Sequence, residues 1–260
     1  STMGMALAYY HLSDYSNALV YFSRALGMFE EQGNAQDRAR CYGNVGLIYD
    51  SLGDFPKALE YYGKAIVLQE ELGMKSSVAI VTGNMAVVYT QLGDYPLALE
   101  LYNKALMLRN ETGNRIGVAS ATGNIGTVYG LLGEYRQALE FHHRAIALGE
   151  ELGSTKTQAN NLAGIGLIYS KKEFEGYDPA AAKDYILRSI GLYEALGTKY
   201  HVAEGYKALA DISEQSGEFA QALEYFKQFY SVTSEIQNEE VKKFSAQLDA
   251  ERKQAEHEKQ

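Results

Sequence analysis

The chain has 260 residues and a formal net charge of −9, with a single cysteine and no tryptophan. That charge argues against nucleic acid as a partner, because holding phosphates needs a basic stripe. No apolar run approaches the roughly 20 residues that span a bilayer, so membrane insertion is not expected. A lone Cys41 excludes an internal disulfide and suits a reducing, cytoplasmic setting. No signal peptide is visible, and the first residues already lie inside a repeat.

In chain order, one pattern returns six times. An alanine marks each copy, at Ala18, Ala58, Ala98, Ala138, Ala182 and Ala222. Twelve residues before it stands a small residue: Ala6, Gly46, Ala86, Gly126, Gly166 and Ala210. A tyrosine follows three residues later in five copies, from Tyr9 to Tyr169, and Ser213 replaces it in the sixth. Four after the alanine comes a large side chain, Phe22, Tyr62, Tyr102, His142, Ile186 or Phe226. A fixed period of about forty residues with helical spacing inside it is the signature of a solenoid, whose units bury their apolar faces only by stacking.

Within each copy the offsets give two helices. In the second, helix A runs from about Gln36 to Ser51 and Leu52-Gly53-Asp54 ends it. Helix B starts near Phe55, with Pro56 in a first turn where its missing N–H does no harm, and continues to about Glu71. The repeats divide as 1–34, 35–74, 75–114, 115–154, 155–198 and 199–238, one superhelical domain over 1–238. The fifth departs from the pattern: Lys171 to Pro179 forms a turn four residues longer. It reads either as a tolerated surface insertion or as a partner-binding loop carrying Phe174 and Tyr177. Past Asn238, the stripe Val241, Phe244, Leu248 predicts a capping helix over 239–260. Its polar end reads as a solvated helix or the start of a coiled coil.

The small–Tyr–Ala–aromatic–Ala pattern resembles the tetratricopeptide repeat over about residues 1–238. Gly-Asn-x-Gly-x-x-Tyr, Leu-Gly-Asp-Tyr and Glu-Glu-Leu-Gly look like the longer-helix subclass found in Pins-type adaptors, kinesin light chains and bacterial signalling proteins. The resemblance implies an all-α, right-handed superhelix of helix-turn-helix units.

No catalytic constellation and no cofactor or metal site is expected. His142 and His143 are adjacent, so on a helix they point about 100° apart, and His142 sits in the large-residue register of the core. Cys41 reads as a buried structural thiol. Function then lies in a surface, and helix A lines the inner face. Asn44, Asn84 and Asn124 stack there in one column, each preceded by a glycine, Gly43, Gly83 or Gly123, that would let a backbone come close. Leu47, Val87 and Thr127 lie three residues on, while Arg40, Asp50 and Thr90 extend the same face. A primary amide offers both donors and an acceptor, the set that a peptide backbone requires. Similar asparagines in peptide-binding tetratricopeptide proteins hydrogen-bond an extended peptide. The alternative is that these amides pair with neighbouring helices. Two functions fit: a module binding a peptide or partner protein in the groove, or a regulatory segment packed on an attached effector such as a histidine kinase or nucleotide cyclase.

Overall fold

A computed structural model describes residues 1–257, with side chains up to residue 242 apart from that of residue 240. Among the described residues it contains twelve helices and no strand. They are α1 (Thr2–His11), α2 (Tyr15–Glu31), α3 (Ala35–Ser51), α4 (Phe55–Glu71), α5 (Lys75–Gln91) and α6 (Tyr95–Glu111). Then come α7 (Arg115–Leu131), α8 (Tyr135–Glu151), α9 (Thr155–Tyr169), α10 (Pro179–Ala195), α11 (Lys199–Gln215) and α12 (Phe219–His257). Odd numbers are the A helices and even numbers the B helices. The expected pair in the second repeat is realised as α3 and α4, to within one residue at the start of α3. None of these helices is long and apolar enough to cross a membrane.

The turns explain the regularity. At Leu52-Gly53-Asp54, Gly53 takes φ +74°, its N–H bonds Asp50 O at 2.9 Å, and Asp54 N–H bonds Tyr49 O at 2.9 Å. Those two bonds form the Schellman motif that satisfies the last carbonyls of a helix. The Asp54 carboxylate then accepts from Lys57 N–H as the N-cap of α4. One aspartate thus closes one helix and opens the next. Ser13 holds the glycine position of the first turn, at φ 61°.

The chain divides into two compact units, Ser1–Glu134 and Tyr135–Gln260. In each, consecutive helices pack side by side. The register residues make the core: Ala18, Ala58 and Ala98 are fully buried in the first unit, as are Ala138 and Ala182 in the second. Gly46 is required where it stands, because a Cβ there would lie 2.5 Å from the Tyr62 ring. Stacked tyrosines fasten A to B, with ring centroids 5.2 Å apart for Tyr9–Tyr21 and 5.5 Å for Tyr49–Tyr61.

The C-terminal expectation is corrected. There is no separate helix from residue 239, because α12 runs from Phe219 to His257 without a break. No glycine or proline interrupts that stretch, so nothing ends the helix at Asn238. Val241 is 67% exposed. The side chains of Phe244 and Leu248, and those of the polar stretch after them, lie outside the described residues.

Candidate functional site

In the first unit the A helices α3 and α5 touch over the body of α4. Their junction leaves a cavity of about 240 Å³, lined by Arg40, Gly43, Asn44 and Leu47 of α3 and by Ser77, Ile80, Val81 and Asn84 of α5. Gln69 of α4 and Met3 of α1 complete the lining. Five residues expected at the site, Arg40, Gly43, Asn44, Leu47 and Asn84, therefore meet in one place. Val87 and Thr90 continue along α5, and Gly123, Asn124 and Thr127 lie on α7, beyond this cavity.

The three column asparagines are not equivalent. Asn84 faces the buried Tyr62 phenol without closing a well-formed hydrogen bond, and Asn124 faces the phenol of Tyr102. Burial pushes both phenols up, Tyr102 to about 12, while the facing amides act the other way. Each of these amides therefore also serves the contact with the preceding B helix. At the corresponding place before Asn44 stands Phe22, which has no hydroxyl. All three asparagines are half-buried.

The glycines do more than lower a floor. A Cβ on Gly83 would lie 2.8 Å from Arg109 Nη2, so this glycine makes room for a guanidinium. Arg109 Nη1 donates to Gly117 O at 2.9 Å, its Nε is buried without a partner, and burial lowers its pKa. Beside Gly43 a Cβ would only touch Val81, at 3.5 Å. At the rim Arg40 is paired with Asp37 of its own helix at 3.1 Å. Asp50 accepts from Gln91 Nε2 across α3 and α5 at 3.4 Å, and burial raises its carboxyl pKa. The hydroxyls of Thr90 and Thr127 donate back to Ala86 O and Gly123 O of their own helices.

The fifth-repeat loop corrects another expectation. Phe174 is not offered to partners: only 9% of it is exposed, and its ring lies between Tyr135 and Tyr169 at centroid distances of 5.5 and 5.9 Å. Asp178 N–H bonds Tyr169 O at 3.0 Å and so bridges the inserted residues, while Glu175 pairs with Arg136. An apolar ring in a nine-residue turn anchors it more cheaply than it solvates. Tyr177 remains half-exposed, at 36%.

Gln69 was not legible as a site residue. It stands eleven residues after the register alanine, where other repeats have Phe29, Arg109, Gly149 and Tyr193.

The second unit has a cavity at the same junction three repeats on, between α9, α10 and α11, of about 310 Å³. Its lining includes Leu167, Tyr193, His201, Glu204, Lys207 and Asp211. The column residues here are Gly164 and Ala208. A Cβ at Gly164 would come 2.5 Å from the His142 ring, whose Nδ1 lies 2.8 Å from Asn161 Oδ1.

Among the described residues no group of His, Cys, Asp and Glu could hold a metal ion. The Cys41 thiol is buried, sits 3.7 Å from Met3 Sδ, and is pushed up to about 11 by burial and by Asp37. A thiol so placed is a poor nucleophile at neutral pH.

Stacked helix pairs with this register define a helical-repeat protein. The tetratricopeptide repeat family matches residues 1–71 and 77–151, more than half of the chain, and the chain belongs to that family. No curated protein matches it. Among solved structures it is similar to the apo form of RapI, at a TM-score of 0.76 and 17% identity over 91% of this chain and 83% of that one. It is also similar to the Rap conjugation gene regulator of plasmid pLS20 in complex with the Phr* peptide (TM-score 0.68, 16% identity, 91% of this chain and 62% of that one). A third is the apo quorum sensor NprR from B. thuringiensis (TM-score 0.71, 21% identity, 89% of this chain and 64% of that one). At these identities the likeness shows the fold.

Proposed function

We propose that the chain is a protein-interaction module that holds an extended peptide, or an extended segment of a partner, along the A-helix face of residues 1–134. The carrying observation is the cavity that gathers Arg40, Asn44, Leu47, Gln69 and Asn84 at one junction. Successive A helices lie roughly 8–10 Å apart and an extended chain rises about 3.3 Å per residue, so column amides would meet a ligand backbone about every third residue. Asn44, Asn84 and Asn124 read backbone groups, Leu47 and Val87 give shallow apolar contact, and Arg40 receives a carboxylate beyond its Asp37 pairing. The Phr* peptide in one structural neighbour and the quorum-sensor title of another support a sensor within a signalling system. An undisturbed buried thiol suits a cytoplasmic setting.

The test begins with peptides selected from a displayed random linear library against the whole chain. Each amide hydrogen bond contributes about 0.5–1.5 kcal/mol. Asn44→Ala with Asn84→Ala should therefore weaken the selected peptides roughly ten- to a hundredfold while circular dichroism stays unchanged. Equal binding by this double variant overturns the reading.

A further inference from the structure

We propose that Gln69 sets the specificity of the first cavity by pairing with the primary amide of a glutamine or asparagine side chain on the bound peptide. This rests on the peptide-binding reading above and names the side chain that the cavity takes.

Gln69 is 2% exposed, lines the cavity, and its Oε1 has no hydrogen-bond partner. The other buried amide among the described residues is satisfied: Asn161 lies 2.8 Å from His142 Nδ1 and donates to Thr157 O at 2.7 Å. The oxygen itself is covered, so a ligand donor completes it once the side chain turns into the cavity that Gln69 lines.

The lining narrows the donor. A carboxylate offers no proton to the unpartnered Gln69 Oε1 and could pair only with the amide turned over. A lysine or arginine would bring a second cation toward Arg40, the only charged side chain in the lining. A hydroxyl must donate to Gln69 and accept from an asparagine through one oxygen, so it spans less of the cavity than an amide does. A primary amide gives its NH₂ to Gln69 and turns its oxygen to the half-buried Asn44 or Asn84. Carrying both donor and acceptor, it also answers Gln69 in either orientation of the Gln69 amide. The methylenes of such a side chain would run along Leu47, Ile80 and Val81. A cavity of about 240 Å³ falls below the size of small-molecule pockets and suits a single side chain.

The experiment uses the same random linear library against the whole chain, its Gln69→Leu and Gln69→Glu variants, and the Asn44→Ala, Asn84→Ala variant. Peptides enriched on the parent should share a glutamine or asparagine at one position, and replacing it with leucine should cost at least tenfold in affinity. Gln69→Leu should abolish that preference and Gln69→Glu should turn it toward lysine, with helicity of both variants checked by circular dichroism. A consensus without the amide, or a preference that both Gln69 variants leave intact, overturns the proposal. If the asparagine variant still weakens binding in those cases, the groove reading stands alone. A library that yields no binder removes both.

Discussion

The cavity at α3–α4–α5 and the one at α9–α10–α11 occupy the same place in the repeat, yet amides line the first and charges the second. The column differs as well, and at Gly164 the core beneath shows the reason. Where the fourth repeat puts His142 in the large-residue register, Asn161 holds the ring through Nδ1, and the ring fills the space that a column asparagine would need. Gly164 follows from His142. A solenoid can therefore lose a column side chain on one helix through a buried residue on the helix before it.

The largest expected effect tests the anchoring of the second unit. Phe174→Ala should cost roughly 3 kcal/mol, as for other buried phenylalanines, and lower the unfolding temperature, whereas Tyr177→Ala should leave it nearly unchanged. Equal, small effects would return the loop to the role of a free binding element. Next comes Gly164→Asn, which writes the first unit's column into the second. It should destabilise by about 1–3 kcal/mol through overpacking against His142, and a melting temperature equal to the parent's would show that the ring moves aside freely.

A smaller difference separates the amides themselves. Asn124→Ala removes one of two polar neighbours of the Tyr102 phenol, Thr90 being the other, and should cost about 1 kcal/mol of stability. Asn44→Ala, with Phe22 in the corresponding place, should stay within about 0.5 kcal/mol. Urea unfolding of the two variants decides whether packing or ligand binding accounts for each position. The subtlest effect is one of pH. Burial holds the imidazoles of His142 and His201, both in the second unit, below the ordinary 6.5. The unfolded chain then binds more protons than the folded one as the pH drops below about 6.5, so stability is full above that value and declines beneath it. His142→Phe should reduce the fall in unfolding temperature between pH 7.5 and pH 5.5, and an unaltered fall would clear His142 of responsibility.

Much of this architecture was legible because the turn chemistry is local: a glycine at positive φ where a helix must stop, then in most turns a capping side chain such as Asn34, Asp54, Asp94, Asn114 or Ser154 where the next must start. Gly46 and Tyr62 could be paired from their offsets, and the structure brings them into contact. Long-range packing was less legible. Phe174 read as an exposed hydrophobe because its neighbours in sequence are polar; the tyrosines that enclose it lie 39 and 5 residues away. Gly83 read as part of a groove floor, but the Arg109 above it comes from the following B helix. Past Asn238, an apolar stripe suggested a cap, whereas whether the helix stops is decided by breakers, and there are none. Gln69 was passed over because a pattern search rewards columns that repeat, and its column does not.

Cys41 gives the comparison a clock. It is the only thiol in the chain, lies fully buried among Ala6, Phe22, Ala25 and Val45, and has a pKa well above neutrality. A thiol reagent can reach it only when the helices around it part, so the labelling rate reports the opening of that corner of the first unit. The second unit has no cysteine to compete for the reagent. A peptide that closes on Asn44, in the same helix, should slow this labelling in proportion to its occupancy, which makes binding measurable without attaching any probe to the protein.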